Sequence, residues 1–308
     1  MTMASTLASG APPTTAAPRR ARRDWRGWGF VAPFMIVFLA VLVAPVIYAL
    51  YLTLFRQQLV GGNGFVGLAN YIQLFQDEKF WEALGRVTLF LIVQVPIMLL
   101  LSLCAALAID SARLHGAGFI RIAIFLPYAV PGVVAALIWG FIYGNQFGLT
   151  GTLNDLLGAE IFQPFTSQWI LASIGNIVTW EFLGYNMLIF YAALKVIPAD
   201  LYEAAEIDGA GQFRIVTGIK LPALRGSIVI ATVFSIIGSF QLFNEPNLLK
   251  NLAPNVISSF FTPNMYAYNL SFAGQQFNYS ATVAIVMGVV TATIAYIVQL
   301  RGSRQEVR

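Results

Sequence analysis

Reactive side chains are scarce in this 308-residue chain. Its one cysteine, Cys104, sits inside an apolar run, so neither a disulfide framework nor a thiolate metal site is available. Its one histidine, His115, lies in a short polar loop and reads as solvated. No phosphate loop of the form G-x-x-x-x-G-K-S/T occurs, so ATP hydrolysis is not expected of this chain. His-Glu-x-x-His is missing too, and no Ser/Lys pairing stands out, which argues against an intramembrane enzyme. Charge is equally thin. Asp, Glu, Lys and Arg make up 10% of the residues, against about 25% in a soluble domain.

Apolar sequence fills the gap. Hydrophobic residues make up 58% of the chain, and the mean hydropathy is +0.72. A bilayer crossing needs about 20 apolar residues in a helix. Six segments meet that length: about 30–55, 87–109, 119–143, 169–194, 226–249 and 280–300. Gly, Pro and a few polar residues interrupt them, which membrane helices accept where neighbours re-satisfy the backbone. The fifth is expected to break at Asn244, Glu245, Pro246 and Asn247. The reading is an all-α integral membrane protein of six transmembrane helices.

Residues 1–27 have no apolar period and read as a disordered basic cytoplasmic tail. Arg19, Arg20, Arg22 and Arg23 suggest a twin-arginine signal. The apolar run after them is longer than a signal core of about 7–15 residues and reads as a retained anchor. Residues 28–302 then form the membrane domain and 303–308 a second cytoplasmic tail.

The net charge of +4 does not point to nucleic acid, because the positive charges sit in short segments between apolar runs. Placing the N-terminus inside puts fourteen Lys and Arg on inner segments and four on outer ones: Arg56, Lys79, Arg86 and Lys250. The positive-inside rule then predicts both termini in the cytoplasm. Segments 56–86, 145–168 and 250–279 become outer loops. The first and last carry many aromatics, which suit an interfacial belt or a docking surface.

One inner stretch, residues 203–222, reads EAAEIDGAGQFRIVTGIKLP. Pro198 is expected to end the fourth membrane helix. Asp200 then reads as an N-cap, with Glu203 three residues later as in a capping box. Gly209 stands where the short helix must stop, since glycine adopts left-handed angles freely. A second short helix is expected over about 212–220. Without further information, a surface helical hairpin fits equally well.

The spacing of Glu203, Ala204, Ala205, then Gly209, then Ile219, Leu221 and Pro222 resembles the EAA loop of ABC importer permeases. Other stretches agree. VAPFMIVFLAVLVAPVIYALYLTLF, with Pro33 and Pro45, resembles the family's first helix. VGLANYIQLFQDEKFWEAL resembles the first outer loop of sugar permeases, and TWEFLGYNMLIFYAALKVIPADLYEAAEIDGA the fourth helix with its coupling loop. Over about residues 28–300 the chain is similar to binding-protein-dependent sugar permeases of the type I importer class, related to the larger maltose-importer subunit. One stretch departs: FNEPNLLKNLAPN stands where many relatives have a T-x-G-G-P turn.

The resemblance implies the MetI-like fold with both termini inside, in the bacterial cytoplasmic membrane. It implies a second permease subunit, an ABC ATPase dimer, an extracytoplasmic solute-binding protein and a di- or oligosaccharide substrate. No cofactor is expected on this chain; ATP and Mg belong to the ATPase. The resemblance assigns coupling to that ATPase to Glu203, Ala204, Ala205, Asp208, Gly209, Ala210, Leu221 and Pro222.

A sugar site needs amides or carboxylates for its hydroxyls and aromatics for its ring faces. Glu181, inside the fourth segment, is the clearest candidate, because ionisable residues there face the bundle interior. Tyr185 and Asn186 follow one turn on. In the fifth segment, Ser235, Ser239 and Leu242 share a helical face, beside Gln241, Asn244 and Glu245. The resemblance places Ser235 at a contacting serine and Glu181, Phe182 and Tyr185 in a second contact zone. Gln94 and Asn176 read as structural. For single Ser, Asn and Gln residues the competing role is helix–helix bonding, worth about 0.6 kcal/mol. Alternatives are an importer of a polyol or glycerol-phosphate-type solute, and an ion-coupled secondary transporter. A phosphate site favours mid-membrane Lys or Arg, and a secondary transporter often shows inverted repeats. Neither is seen.

Overall fold

The computed structural model describes residues 26–58, 62–111, 114–146 and 148–306. Arg19, Arg20, Arg22, Arg23 and Arg113 lie outside the described residues, as does nearly all of the expected N-terminal tail. The chain divides into two compact units, at Tyr48 and Ala49.

In the first unit, α1 (Arg26–Phe38) passes through a π-helical turn (Leu39–Val43) into α2 (Ala44–Thr53), whose residues from Ala49 on belong to the second unit. Pro45 has no N–H, and its ring crowds the carbonyl four residues back, at Val41; the helix widens at that point. Residues 28–48 bury no side chain, and Phe30 is 90% exposed. Such a surface suits lipid rather than water.

In the second unit, a hairpin pairs β1 (Phe55–Gln58) with β2 (Gly62–Phe65), and α3 (Ala69–Phe75) follows. Asn70 Nδ2 donates to the carbonyls of Thr53 (2.8 Å) and Phe55 (2.9 Å), pinning α3 to the end of α2 and to the hairpin. Then come α4 (Glu78–Asp110), α5 (Ala117–Phe125), a 3₁₀ turn (Leu126–Ala129), α6 (Gly132–Ile142), α7 (Leu149–Leu157) and α8 (Ile170–Leu194). The remainder is α9 (Ala199–Ile207), α10 (Gln212–Ile215), a π turn (Val216–Lys220), α11 (Leu221–Ala223), α12 (Arg225–Phe240), α13 (Asn244–Leu249), α14 (Pro263–Phe272) and α15 (Phe277–Glu306).

Among the described residues, five helical stretches are long and apolar enough to cross a membrane: Trp28–Thr53, Glu78–Asp110, Ile170–Leu194, Arg225–Leu249 and Phe277–Gly302. A sixth is broken. Ala117–Ala129 and Gly132–Ile142 meet at 99°. Pro127 and Pro131 explain the break, since neither offers a donor to a continuing helix and Pro131 caps α6 instead. These correspond to the six expected segments. The second begins earlier than expected, because Asp77 caps the backbone N–H of Lys79 and starts α4 at Glu78.

α4 and α8 pack along their length. Gly184 lies against α5, and a Cβ there would strike the carbonyl of Ile124 and sit 2.6 Å from Phe125 Cα. Small residues allow this close approach between membrane helices. Leu74, Phe80, Val87, Ile236, Phe240 and Val283 form a core joining α3, α4, α12 and α15. Phe190, Leu194, Ala106, Leu224 and Ala231 form another nearer α9.

The segments expected as outer loops carry helices α3, α7 and α14, which apolar periodicity in short segments did not reveal. Asp77 knits this end together. Tyr266 of α14 and Tyr279 of α15 donate their hydroxyls to its Oδ2 at 2.5 and 2.6 Å. Burial pushes the Asp77 carboxyl up, but these bonds and the backbone N–H groups of Lys79 and Phe80 outweigh it and hold it below the usual range.

Candidate functional site: a central cavity and a coupling segment

A cavity of about 430 Å³ opens between α4, the 3₁₀ turn, α8 and the α12–α13 junction. Its position follows from a break in the fifth segment. The expected break was at Asn244–Asn247. The chain instead leaves the helix at Phe240, turns through Gln241–Phe243, and Asn244 to Pro246 open α13. The reason is local: proline is tolerated in a first helical turn, where its missing donor is not needed. The turn carries Gln241, Asn244 and Glu245 into the cavity wall. Leu242, expected to continue the helical face of Ser235 and Ser239, lies past the end of α12 but still lines the cavity.

Ser235 and Ser239 line the same wall from α12, and Tyr185 and Asn186 line it from α8. Glu181 alone among the expected pathway residues is not part of the lining. It is buried behind it, 4% exposed, as the hydrogen-bonding neighbour of Glu245. Both carboxyls converge on Gly132: a Cβ there would lie 3.4 Å from Glu181 Oε1 and 3.6 Å from Glu245 Oε1. Gly132 is the first residue of α6, where the helix dipole favours negative charge. The bend between α5 and α6 therefore supplies the place where two carboxyls can be buried together.

An aromatic wall faces these groups. Tyr128 of the 3₁₀ turn stacks on Tyr185, with ring centroids 4.9 Å apart, and meets Phe182 edge-on at 5.9 Å. Tyr128 carries no mark in the sequence, since it lies in an apolar segment with no polar neighbour. Gln94, expected to be structural, lines the cavity from α4. Asn176 does behave as a structural residue, donating to the Tyr143 hydroxyl at 2.9 Å.

The second cluster is the segment after α8. Helix α8 ends at Leu194, and Pro198 caps α9 rather than ending α8 directly. Asp200 is not the N-cap; it sits in the first turn of α9, and no side chain caps that helix. Pro198 fixes the turn, so Asp200 contributes only through the dipole. The far end matches expectation. Gly209 takes φ +76°, Gly209 N donates to Glu206 O at 3.0 Å, and Ala210 N donates to Ala205 O at 2.9 Å. This paired closure is a Schellman motif. Beyond it, the expected second helix begins at Gln212 and widens into the π turn ending at Lys220.

Glu203, Ala204, Asp208, Gly209 and Pro222 are exposed, and Ala205, Ala210 and Leu221 are half-buried. Large apolar side chains stand out beside them: Ile207 is 86% exposed and Phe213 83%. Underneath, the segment is anchored by charge. Asp110, the last residue of α4, receives Lys220 Nζ at 2.6 Å and Lys195 Nζ at 2.8 Å. Lys220 Nζ also lies 5.5 Å from the Tyr202 ring of α9. The Asp110 hydrogen bond raises the Lys195 ammonium above its ordinary value.

The chain is 32% identical to the lactose transport system permease protein of Rhizobium radiobacter, over 89% of this chain and 93% of the relative. It is 31% identical to the trehalose transport system permease protein of Mycobacterium tuberculosis, over 87% and 85%. Its fold matches a bacterial ABC transporter that imports the acidic polysaccharide alginate, with a TM-score of 0.81 at 21% identity, covering 92% of this chain and 96% of that one. The family model described as binding-protein-dependent transport system inner membrane component matches residues 102–304. The chain belongs to that family, and is a multi-pass, non-enzymatic permease subunit of the cytoplasmic membrane.

Proposed function

We propose that this chain carries a di- or oligosaccharide across the membrane as one of two permease subunits of an ATP-driven importer, taking it from an extracytoplasmic binding protein. The observation that carries the reading is the cavity. Amides, hydroxyls and a carboxyl from α4, α8, α12 and α13 face stacked tyrosines within one bundle, the mixture that a sugar's hydroxyls and ring faces need. The relatives named for lactose and trehalose transport support it.

The segment 199–222 faces the cytoplasm in this reading, and a separate ATPase dimer, holding ATP and Mg, grips it. Its exposed Ile207 and Phe213 supply apolar contact, and Glu203 a charge for a basic partner. ATP binding brings the ATPases together and shifts the permease between inward- and outward-open states. A short, closed helix transmits that movement because it does not bend. Transport of a glycerol-phosphate-type solute is disfavoured by the cavity wall, which holds no Lys or Arg among the described residues.

Mild-detergent purification of the tagged chain from its own cells is the test. A second permease and an ATPase should co-purify in stable proportion. Recovery of the chain free of any ATPase, yet active in transport, would overturn the reading.

A further inference from the structure

Gln94 is buried, 6% exposed, and Asn186 is 2% exposed; both line the cavity. Gln94 Oε1 and Asn186 Oδ1 are buried and accept no hydrogen bond from the described residues. A buried acceptor left unmade keeps its full desolvation penalty, so each such atom needs a reason.

The orientation of both amides is fixed by chemistry. Thr179 Oγ1 donates its single hydrogen to Gly175 O at 2.6 Å, so it can only accept from Gln94. Gln94 Nε2 accordingly donates to it at 3.2 Å, which leaves Oε1 unpaired. Asn186 Nδ2 donates to the carbonyl of Phe182 at 3.0 Å, and a carbonyl can only accept. Turning either amide over would set two acceptors against each other.

The rest of the wall has the same bias. Ser239 Oγ spends its hydrogen on Ser235 O at 2.8 Å, leaving lone pairs. Glu245 adds a carboxyl. The polar part of the wall, which also carries the amides of Gln241 and Asn244, therefore holds unpaired acceptors and, among the described residues, no cation, opposite an aromatic face.

We propose that Gln94, together with Asn186, is a specificity-determining residue that accepts hydrogen bonds from the hydroxyls of a neutral sugar. The assignment rests on the sugar-permease reading above and narrows it. A polyhydroxyl ligand offers many O–H donors and satisfies both orphaned oxygens. An anionic sugar meets lone pairs and a carboxyl and finds no countercharge. Thr179 positions the amide of Gln94 rather than touching the ligand.

The experiment uses the complete importer in proteoliposomes with its binding protein saturated, so that only steps within the membrane differ. A panel of radiolabelled neutral di- and trisaccharides, lactose and trehalose among them, identifies the best-transported sugar, and its monodeoxy analogues are then compared. Removing one such hydrogen bond predicts about a tenfold loss of rate. Gln94→Leu should slow the parent sugar by that factor while leaving one monodeoxy analogue, the one lacking the recognised hydroxyl, at its wild-type rate. Gln94→Glu, which keeps an acceptor, should retain the preference for the parent sugar. Equal slowing of the parent sugar and of every analogue in Gln94→Leu would show a structural role and overturn the assignment, as would unchanged discrimination. Uptake of an anionic saccharide in place of every neutral one would overturn the assignment and leave the sugar reading standing, whereas uptake of no saccharide at all would fail the sugar reading itself.

Discussion

Asp110 Oδ2 and Lys220 Nζ lie 2.6 Å apart, joining the last residue of α4 to the end of the segment that leads back into the membrane at α12. Both side chains are nearly buried, 8% and 11% exposed. The second lysine on the same carboxylate, Lys195, is 55% exposed. One carboxylate thus holds an enclosed partner and an open one. The difference sets what each contributes.

Removing the enclosed partner leaves a buried carboxylate with only its exposed lysine, at a cost of up to about 3 kcal/mol. Removing the open one costs about 0–1 kcal/mol. Lys220→Met should therefore lower the unfolding temperature of the purified protein far more than Lys195→Met, and speed hydrogen exchange across 199–222. Equal effects of the two substitutions would mean that Asp110 does not discriminate between them.

Gly209 stands in open space but at φ +76°. A side chain there meets no neighbour and still pays about 1–2 kcal/mol of backbone strain. Gly209→Val should leave the bundle folded, open the end of α9, and abolish ATP-driven uptake in reconstituted importer. Full uptake by that variant would remove α9 from the coupling path.

Glu245 lines the cavity, whereas Glu181 backs it through its contact with Glu245. Glu245→Gln should cut transport by up to about tenfold, the scale of one lost hydrogen bond. Glu181→Gln should have the smaller effect, with assembly of the complex intact in both. Uptake assays rank them, and normal kinetics in both variants would take the pair out of the pathway.

Asp77 carries the pH dependence of its end of the bundle. Its folded-state pKa is depressed, so its contribution is complete above the unfolded value of about 3.9 and is lost as pH falls through the lower folded value. Unfolding followed from about pH 6 down to about pH 3 should show stability dropping at the acid end. Asp77→Asn should flatten that drop, because Tyr266 and Tyr279 then lose the charge they donate to. An unchanged acid slope would place the titrating group elsewhere.

Much of this architecture is legible in the sequence. Apolar length marks a membrane helix strongly, because a bilayer demands it, and the six segments followed. Gly209 was equally legible, since few residues take a left-handed angle. Asp200 misled because its type suits a cap, while Pro198 two residues earlier had already fixed the turn. The kink at Gln241–Phe243 was placed a few residues late, since Pro246 reads as a breaker in sequence and acts as a helix starter in structure. The place of Gln94 in the cavity wall is not legible in the sequence, because the orientation of its amide depends on Thr179, whose only hydrogen goes to Gly175 in three dimensions. Tyr128 likewise becomes part of a site only when the bend between α5 and α6 brings it against Tyr185.

The most direct test of the account is sugar accumulation in proteoliposomes holding this permease, its partner permease and its ATPase, supplied with loaded binding protein. The account predicts accumulation of a neutral oligosaccharide that requires both internal ATP and the binding protein, and that proceeds with no ion gradient. Accumulation driven by an ion gradient without ATP, or ATP-driven uptake of a sugar phosphate in place of the neutral sugar, would contradict it.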